Sequence, residues 1–130
     1  TIIGRLFKAL RFFRMGDGNL CRFNGSGVTE SDLIANLLRN SEAVSEPEIA
    51  EETSGYLRLD RWGSLVLLDS AVPPKGEISS LAHAGCLSFE FSSGTECIVV
   101  NSGVPPIPLS HPHALWRTSP AHSTAVFCGA

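Results

Sequence analysis

Leu87-Ser88-Phe89-Glu90-Phe91, then Ser92-Ser93-Gly94-Thr95, then Glu96-Cys97-Ile98-Val99-Val100, reads as two short strands around a turn. A turn centred on Ser93-Gly94 pairs Phe89 with Ile98 and Leu87 with Val100. Large apolar side chains then share one face, and Ser88, Glu90 and Cys97 share the other. A one-residue slip would mix those faces, so the hydrophobic pattern predicts the register. It also places Cys97 opposite Glu90, four residues from Cys86, or roughly 13 Å at the rise of a strand. A disulfide needs Cα atoms within about 7 Å, so these two thiols are expected to stay unbridged.

Outward from this hairpin the texture persists. Tyr56-Leu57-Arg58-Leu59-Asp60 and Ser64-Leu65-Val66-Leu67-Leu68-Asp69 flank Arg61-Trp62-Gly63, which predicts a second hairpin. Val104-Pro105-Pro106-Ile107-Pro108 cannot supply regular ladder hydrogen bonds and is expected as loop or edge, with a closing strand over 123–128. Upstream the period changes. Ile3, Leu6, Phe7, Leu10 and Phe13 recur at helical spacing between arginines and a lysine, predicting a helix over 2–14 that Gly16-Asp17-Gly18-Asn19 stops. Leu20 to Phe23 reads as extended before an Asn24-Gly25 turn, and Leu33, Ile34, Leu37 and Leu38 predict a second helix over 29–40. Ser41 to Thr53, with five Glu and a Pro, reads as a solvated connector.

With 130 residues, 43% of them hydrophobic, the chain is sized for one domain. A formal charge of −3 without a basic block gives no electrostatic footprint for nucleic acid or an anionic membrane surface. No apolar run approaches the roughly 20 residues that span a bilayer, and the first residues lack the features of a signal peptide. A soluble chain is expected, in periplasm or cytoplasm alike. It starts at Thr1 without Met and stops at Gly129-Ala130 after a strand-like run, which reads as a fragment of something longer. Cys21, Cys86, Cys97 and Cys128 show no CxxC or zinc-finger spacing and are expected as buried free thiols.

Three segments carry candidate chemistry: Leu81-Ala82-His83-Ala84-Gly85, Val99-Val100-Asn101-Ser102-Gly103, and Arg117-Thr118-Ser119-Pro120-Ala121-His122-Ser123. The hairpin register sets His83 and Asn101 near one end of the sheet, and a strand from Ser123 would bring His122 there. Two neutral imidazoles and a side-chain oxygen form a ligand set that zinc or another divalent metal accepts, although a His beside a turn more often bonds backbone or water. His111-Pro112-His113 reads as exposed loop, and Glu90 as solvated or paired rather than a general base. Trp116 is a core or rim aromatic, or a platform for a sugar ring. No phosphate loop and no Gly-x-Ser-x-Gly is present, so phosphate binding and nucleophilic hydrolysis have no support.

The same segments resemble the β-domain of heparinase II/III-like polysaccharide lyases: Ala82-His83-Ala84-Gly85-Cys86-Leu87-Ser88-Phe89-Glu90, Val99-Val100-Asn101-Ser102-Gly103, and Trp116-Arg117-Thr118-Ser119-Pro120-Ala121-His122-Ser123-Thr124. The match is clearest over 54–130. Arg11 to Gly18 looks like the exit from a preceding helical domain. The resemblance implies a mainly β fold, an antiparallel β-sandwich with short N-terminal helices. Residues 1–53 are then a helical exit segment and connector, and 54–130 the start of the sandwich, truncated at the C-terminus. It further implies an N-terminal α/α toroid and cleavage of a uronic-acid-containing, acidic polysaccharide by β-elimination. A base removes the C5 proton while polar groups neutralise the uronate. Much of that equipment belongs to the toroid, so the fragment alone is expected to be inactive and no catalytic residue is assigned to it. His83, His122 and Asn101 match the family's metal-binding positions, with Asn for Asp at 101, Leu81 where many relatives have His, and Gly85 where they have Asp. Trp116 and Arg117 are the substrate-binding candidates. The alternative is a non-catalytic sandwich that binds carbohydrate or supports a domain interface.

Overall fold

The computed structural model describes residues 1–40, 50–80, 82–104 and 113–126. Helix α1 (Ile2–Phe12) starts at Thr1, whose hydroxyl accepts from Gly4 N, and α2 spans Ser31–Arg39. Five strands follow: β1 (Ala50–Thr53), β2 (Tyr56–Arg61), β3 (Ser64–Asp69), β4 (Phe89–Ser93) and β5 (Glu96–Val99). They form one antiparallel meander in sequence order. A short helix α3 (His113–Trp116) and 3-10 turns at Gly76–Ser80 and Ser119–Ala121 complete the described elements. The mainly β, antiparallel expectation holds, as do the two helices and the Arg61-Trp62-Gly63 hairpin. Trp62 and Gly63 both take positive φ there, as a two-residue turn with right-handed strand twist requires.

Four expectations are corrected. The hairpin at 89–99 turns on Gly94-Thr95, with Ser93 opposite Glu96 and Ser92 opposite Cys97, and a bulge beyond Ser92 sets Phe91 opposite Val99. Gly94 at φ 56° is the reason, because the first central position of such a turn favours a residue free of a Cβ. The stretch read as connector ends in a strand, since Ala50–Thr53 pairs with Leu59 to Tyr56; residues 41–49 of it lie outside the described set. Residues 123–126 form no strand, and 127–128 lie outside the described set. Of the cysteines, Cys21 is buried and Cys97 partly so, but Cys86 is exposed. Cys128 and residues 105–112, including His111 and most of the stretch expected as loop or edge, lie outside the described set.

Sheet pairing sorts the strands into two faces. Arg58, Leu67 and Glu90 stand in one row, with Asp60, Leu65, Ser92 and Cys97 beside it. This face packs against Phe12, Met15, Cys21 and Phe23, with Phe13 and Tyr56 at the margin. Ser88, Glu90, Ser92 and Asn101 are nonetheless buried. The covering layer explains them: it is the irregular chain after α1, whose backbone groups need partners. Arg58 donates to the carbonyls of Phe12 (2.8 Å) and Arg14 (2.9 Å), Gly16 N donates to Ser92 Oγ (3.1 Å), and Arg22 N donates to Glu90 Oε1 (2.8 Å). Of its two expected states, solvated or paired, Glu90 is therefore paired, and only 2% exposed. The opposite face carries the row Leu59, Val66, Phe91, Val99, and Leu59, Phe89, Ile98 and Val100 remain exposed.

Candidate functional site

Two segments outside the strands are sewn together at the end of the sheet where β3 finishes. Ala84 N donates to the Arg117 carbonyl (2.8 Å), and the Arg117 guanidinium donates back to the Ala82 carbonyl through Nε (3.1 Å) and Nη2 (2.9 Å). Arg117 therefore spends its charge-bearing fork on holding the chain beside His83. Trp116, one residue earlier, is half-buried.

This clasp brings His83 and His122 together, with His83 Nδ1 3.3 Å from His122 Nε2 and the rings perpendicular, centroids 5.4 Å apart. A carbonyl oxygen only accepts, so the 2.9 Å contact to Thr118 O assigns the proton of His122 to Nδ1. Its Nε2 lone pair then points at His83 Nδ1, and the gap is satisfied by a proton on that nitrogen or by a cation. Gly85 makes the approach possible: a Cβ there would lie 2.8 Å from His122 Cδ2 and 3.2 Å from Ser88 Oγ. Burial, then His122, then Arg117 lower the His83 pKa below that of an ordinary imidazole, against a smaller pull from the Trp116 carbonyl.

Around the pair stand groups that sequence reasoning passed over. Asn24 Nδ2 donates to Tyr56 Oη (2.7 Å) and to Asp69 Oδ2 (3.3 Å), while its Oδ1 accepts from His83 N (3.3 Å). Burial raises the pKa of both Tyr56 and Asp69, and His122 acts on Asp69 in the opposite sense. Asn24-Gly25 was legible as a turn, but nothing in its spacing signalled a bridge to β2 and β3.

Asn101 lies one step away. It is fully buried, its Nδ2 donates to Glu90 Oε1 (3.3 Å), and its Oδ1 accepts from Ser123 N (3.0 Å) and Ser123 Oγ (3.2 Å). Ser123 Oγ also bonds the Phe89 carbonyl. Asn101 thus fixes the residue after His122 to the sheet.

As a metal site the arrangement is partial. Tetrahedral zinc with nitrogens at about 2.0–2.1 Å sets neighbouring ligands about 3.3–3.4 Å apart, and the imidazole pair matches one such edge. Asn101 Oδ1 is already engaged, and among the described residues no group of three His, Cys, Asp or Glu could hold a metal ion. The described residues by themselves supply two ligands of such a shell.

Comparison with known proteins bears on the same region. The Heparinase II/III-like, C-terminal family model matches residues 44–130. FtsZ-localized protein C of Caulobacter vibrioides (strain NA1000 / CB15N) is 33% identical over 122 residues, 94% of this chain and 21% of that protein. The chain therefore spans about a fifth of the length of that curated relative. A solved heparinase III structure matches with a TM-score of 0.59 at 17% identity, over 88% of this chain and 21% of that one, which shows shared fold. No helix among the described residues is long and apolar enough to cross a membrane.

Proposed function

This chain belongs to the heparinase II/III-like family, and on that premise we propose that the whole protein is a lyase-type, carbohydrate-active protein to which this segment contributes a two-histidine site. The supporting observation is the 3.3 Å contact between His83 and His122, built by residues that have no other evident need to meet. The substrate class is an acidic, uronate-containing polysaccharide, bound between this segment and a helical toroid. A neutral His83 is a proton acceptor in form, and His122 orients it through the shared contact while Arg117 and Asn24 fix its backbone. β-Elimination needs a proton taken from C5 and a uronate kept neutral or paired, and the pair suits the first task.

Incubating the full-length protein with a panel of uronate polysaccharides, and following the ultraviolet absorbance of the unsaturated product, tests this. Activity that falls at least tenfold in His83→Ala and in His122→Ala supports the reading; absence of product across the panel defeats it. A second reading is a non-catalytic module that binds carbohydrate or supports an interface in a protein that localises with FtsZ. It is favoured by the 33% identity to a relative carrying that name. Co-localisation of the full-length protein with FtsZ, unaffected by either histidine substitution and without lyase activity, would select it.

A further inference from the structure

Folding concentrates charge that the sequence spreads out. Four of the ten Lys and Arg residues, Arg11, Arg14, Arg39 and Arg58, line a single cavity of about 420 Å³ between the end of α1, α2 and β2, over an apolar floor that includes Met15 and Leu38. They come from positions up to 47 residues apart (58 minus 11) in a chain of net charge −3, which is why no basic block announces them. No acidic residue lines the cavity, and one carboxylate, Asp60, pairs with Arg58 from outside the lining at 2.8 Å.

Arg58 is 6% exposed and committed to the Phe12 and Arg14 carbonyls, so its guanidinium is held in place, and its Nε is buried without a hydrogen-bond partner. A buried cationic donor lacking an acceptor is costly, and the side chain that carries it lines this cavity. Arg39 bonds Asn36 on its own helix and is exposed. Guanidinium groups present planar forks that match carboxylate, sulfate and phosphate oxygens. The volume lies within the range of small-ligand sites.

We propose that this four-arginine cavity is a binding site for a small ligand carrying two or more oxyanion groups. No residue of the histidine site lines it, so it stands or falls independently of the lyase reading. The apolar floor accommodates the ring or chain that carries the charges.

The test is calorimetric titration of the full-length protein with three probes: inorganic sulfate, pyrophosphate, and a sulfated uronate disaccharide. Saturable 1:1 binding of at least one probe is expected, weakened at least tenfold by Arg39→Gln and abolished by Arg39→Glu, and falling with added salt. Preference for the disaccharide identifies a glycan as the source of the anions, and preference for pyrophosphate a phosphorylated ligand. Unchanged thermal midpoints in both variants separate lost binding from lost folding, with Arg11→Gln as a second substitution should Arg39→Glu unfold. No saturable binding by any probe, or binding indifferent to Arg39→Glu in a folded variant, overturns the proposal.

Discussion

Replacing Glu90 by alanine should destabilise the chain by about 3–5 kcal/mol. Its Oε1 accepts from Arg22 N (2.8 Å), Asn101 N (3.2 Å) and Asn101 Nδ2 (3.3 Å), so one truncation strands three donors, two of them on the backbone. Each buried donor left without an acceptor costs roughly 1–3 kcal/mol, and Asn101 is fully buried. Glutamine keeps an acceptor oxygen and should cost less than about 1 kcal/mol. Burial raises the Glu90 pKa, with the three hydrogen bonds acting against it. For a carboxyl raised in the folded state, the folded form holds the proton longer than the unfolded one, so this group's contribution falls as pH rises from the ordinary carboxylate range through the raised value. The Glu90→Gln variant lacks that component, and its stability relative to wild type should improve over the same window. Urea unfolding at several pH values measures both effects, and the alanine variant should melt roughly 10–20 °C lower. A loss below about 1 kcal/mol for Glu90→Ala, or a pH-independent difference between wild type and Glu90→Gln, would refute the account of this carboxylate as the shared acceptor.

Gly85→Ala should displace the His122 ring, because the new Cβ meets Cδ2 at 2.8 Å; imidazole NMR shifts of both histidines should change while the sheet amides stay put. His83, with its pKa lowered in the fold, takes up a proton in the unfolded state first, so stability should decline as pH drops below about 6.5 and the decline should be shallower in His83→Gln. Denaturation midpoints between neutral and mildly acidic pH check the slope. Gly16→Ala would set a Cβ 2.0 Å from the Gly94 carbonyl and 2.8 Å from Ser92 Oγ, and should cost at least about 2 kcal/mol by urea titration, since backbone on the far side cannot yield as a flexible side chain does.

The helices and the 56–69 hairpin were legible because their signals are local: period 3.6 around Leu33 to Leu38, and Trp62-Gly63 between alternating strands. The second hairpin was legible in type but not in register. The alternation separated an apolar from a polar face without saying which is buried, and it is Glu90 and Ser92 that turn inward to satisfy Arg22 and Gly16 backbone groups. That demand arises from a loop some 70 residues away in sequence and leaves no periodic trace. Convergence of His83 and His122 was expected from a strand at Ser123 that does not form over 123–126; it comes instead from the clasp of Arg117 on the Ala82 carbonyl, which no spacing encodes. Asn24, Tyr56 and Asp69 joined the neighbourhood for the same reason: each is placed by tertiary contact alone.

The outward face, with Leu59 and Phe89 exposed and Val66, Phe91 and Val99 half-buried, should govern how the isolated chain behaves in a test tube. A greasy sheet surface adsorbs to glass, brightens polarity-sensitive dyes in native buffer and draws copies together as salt is raised. All three signals are usually taken for misfolding, yet here the correctly folded sheet should produce them.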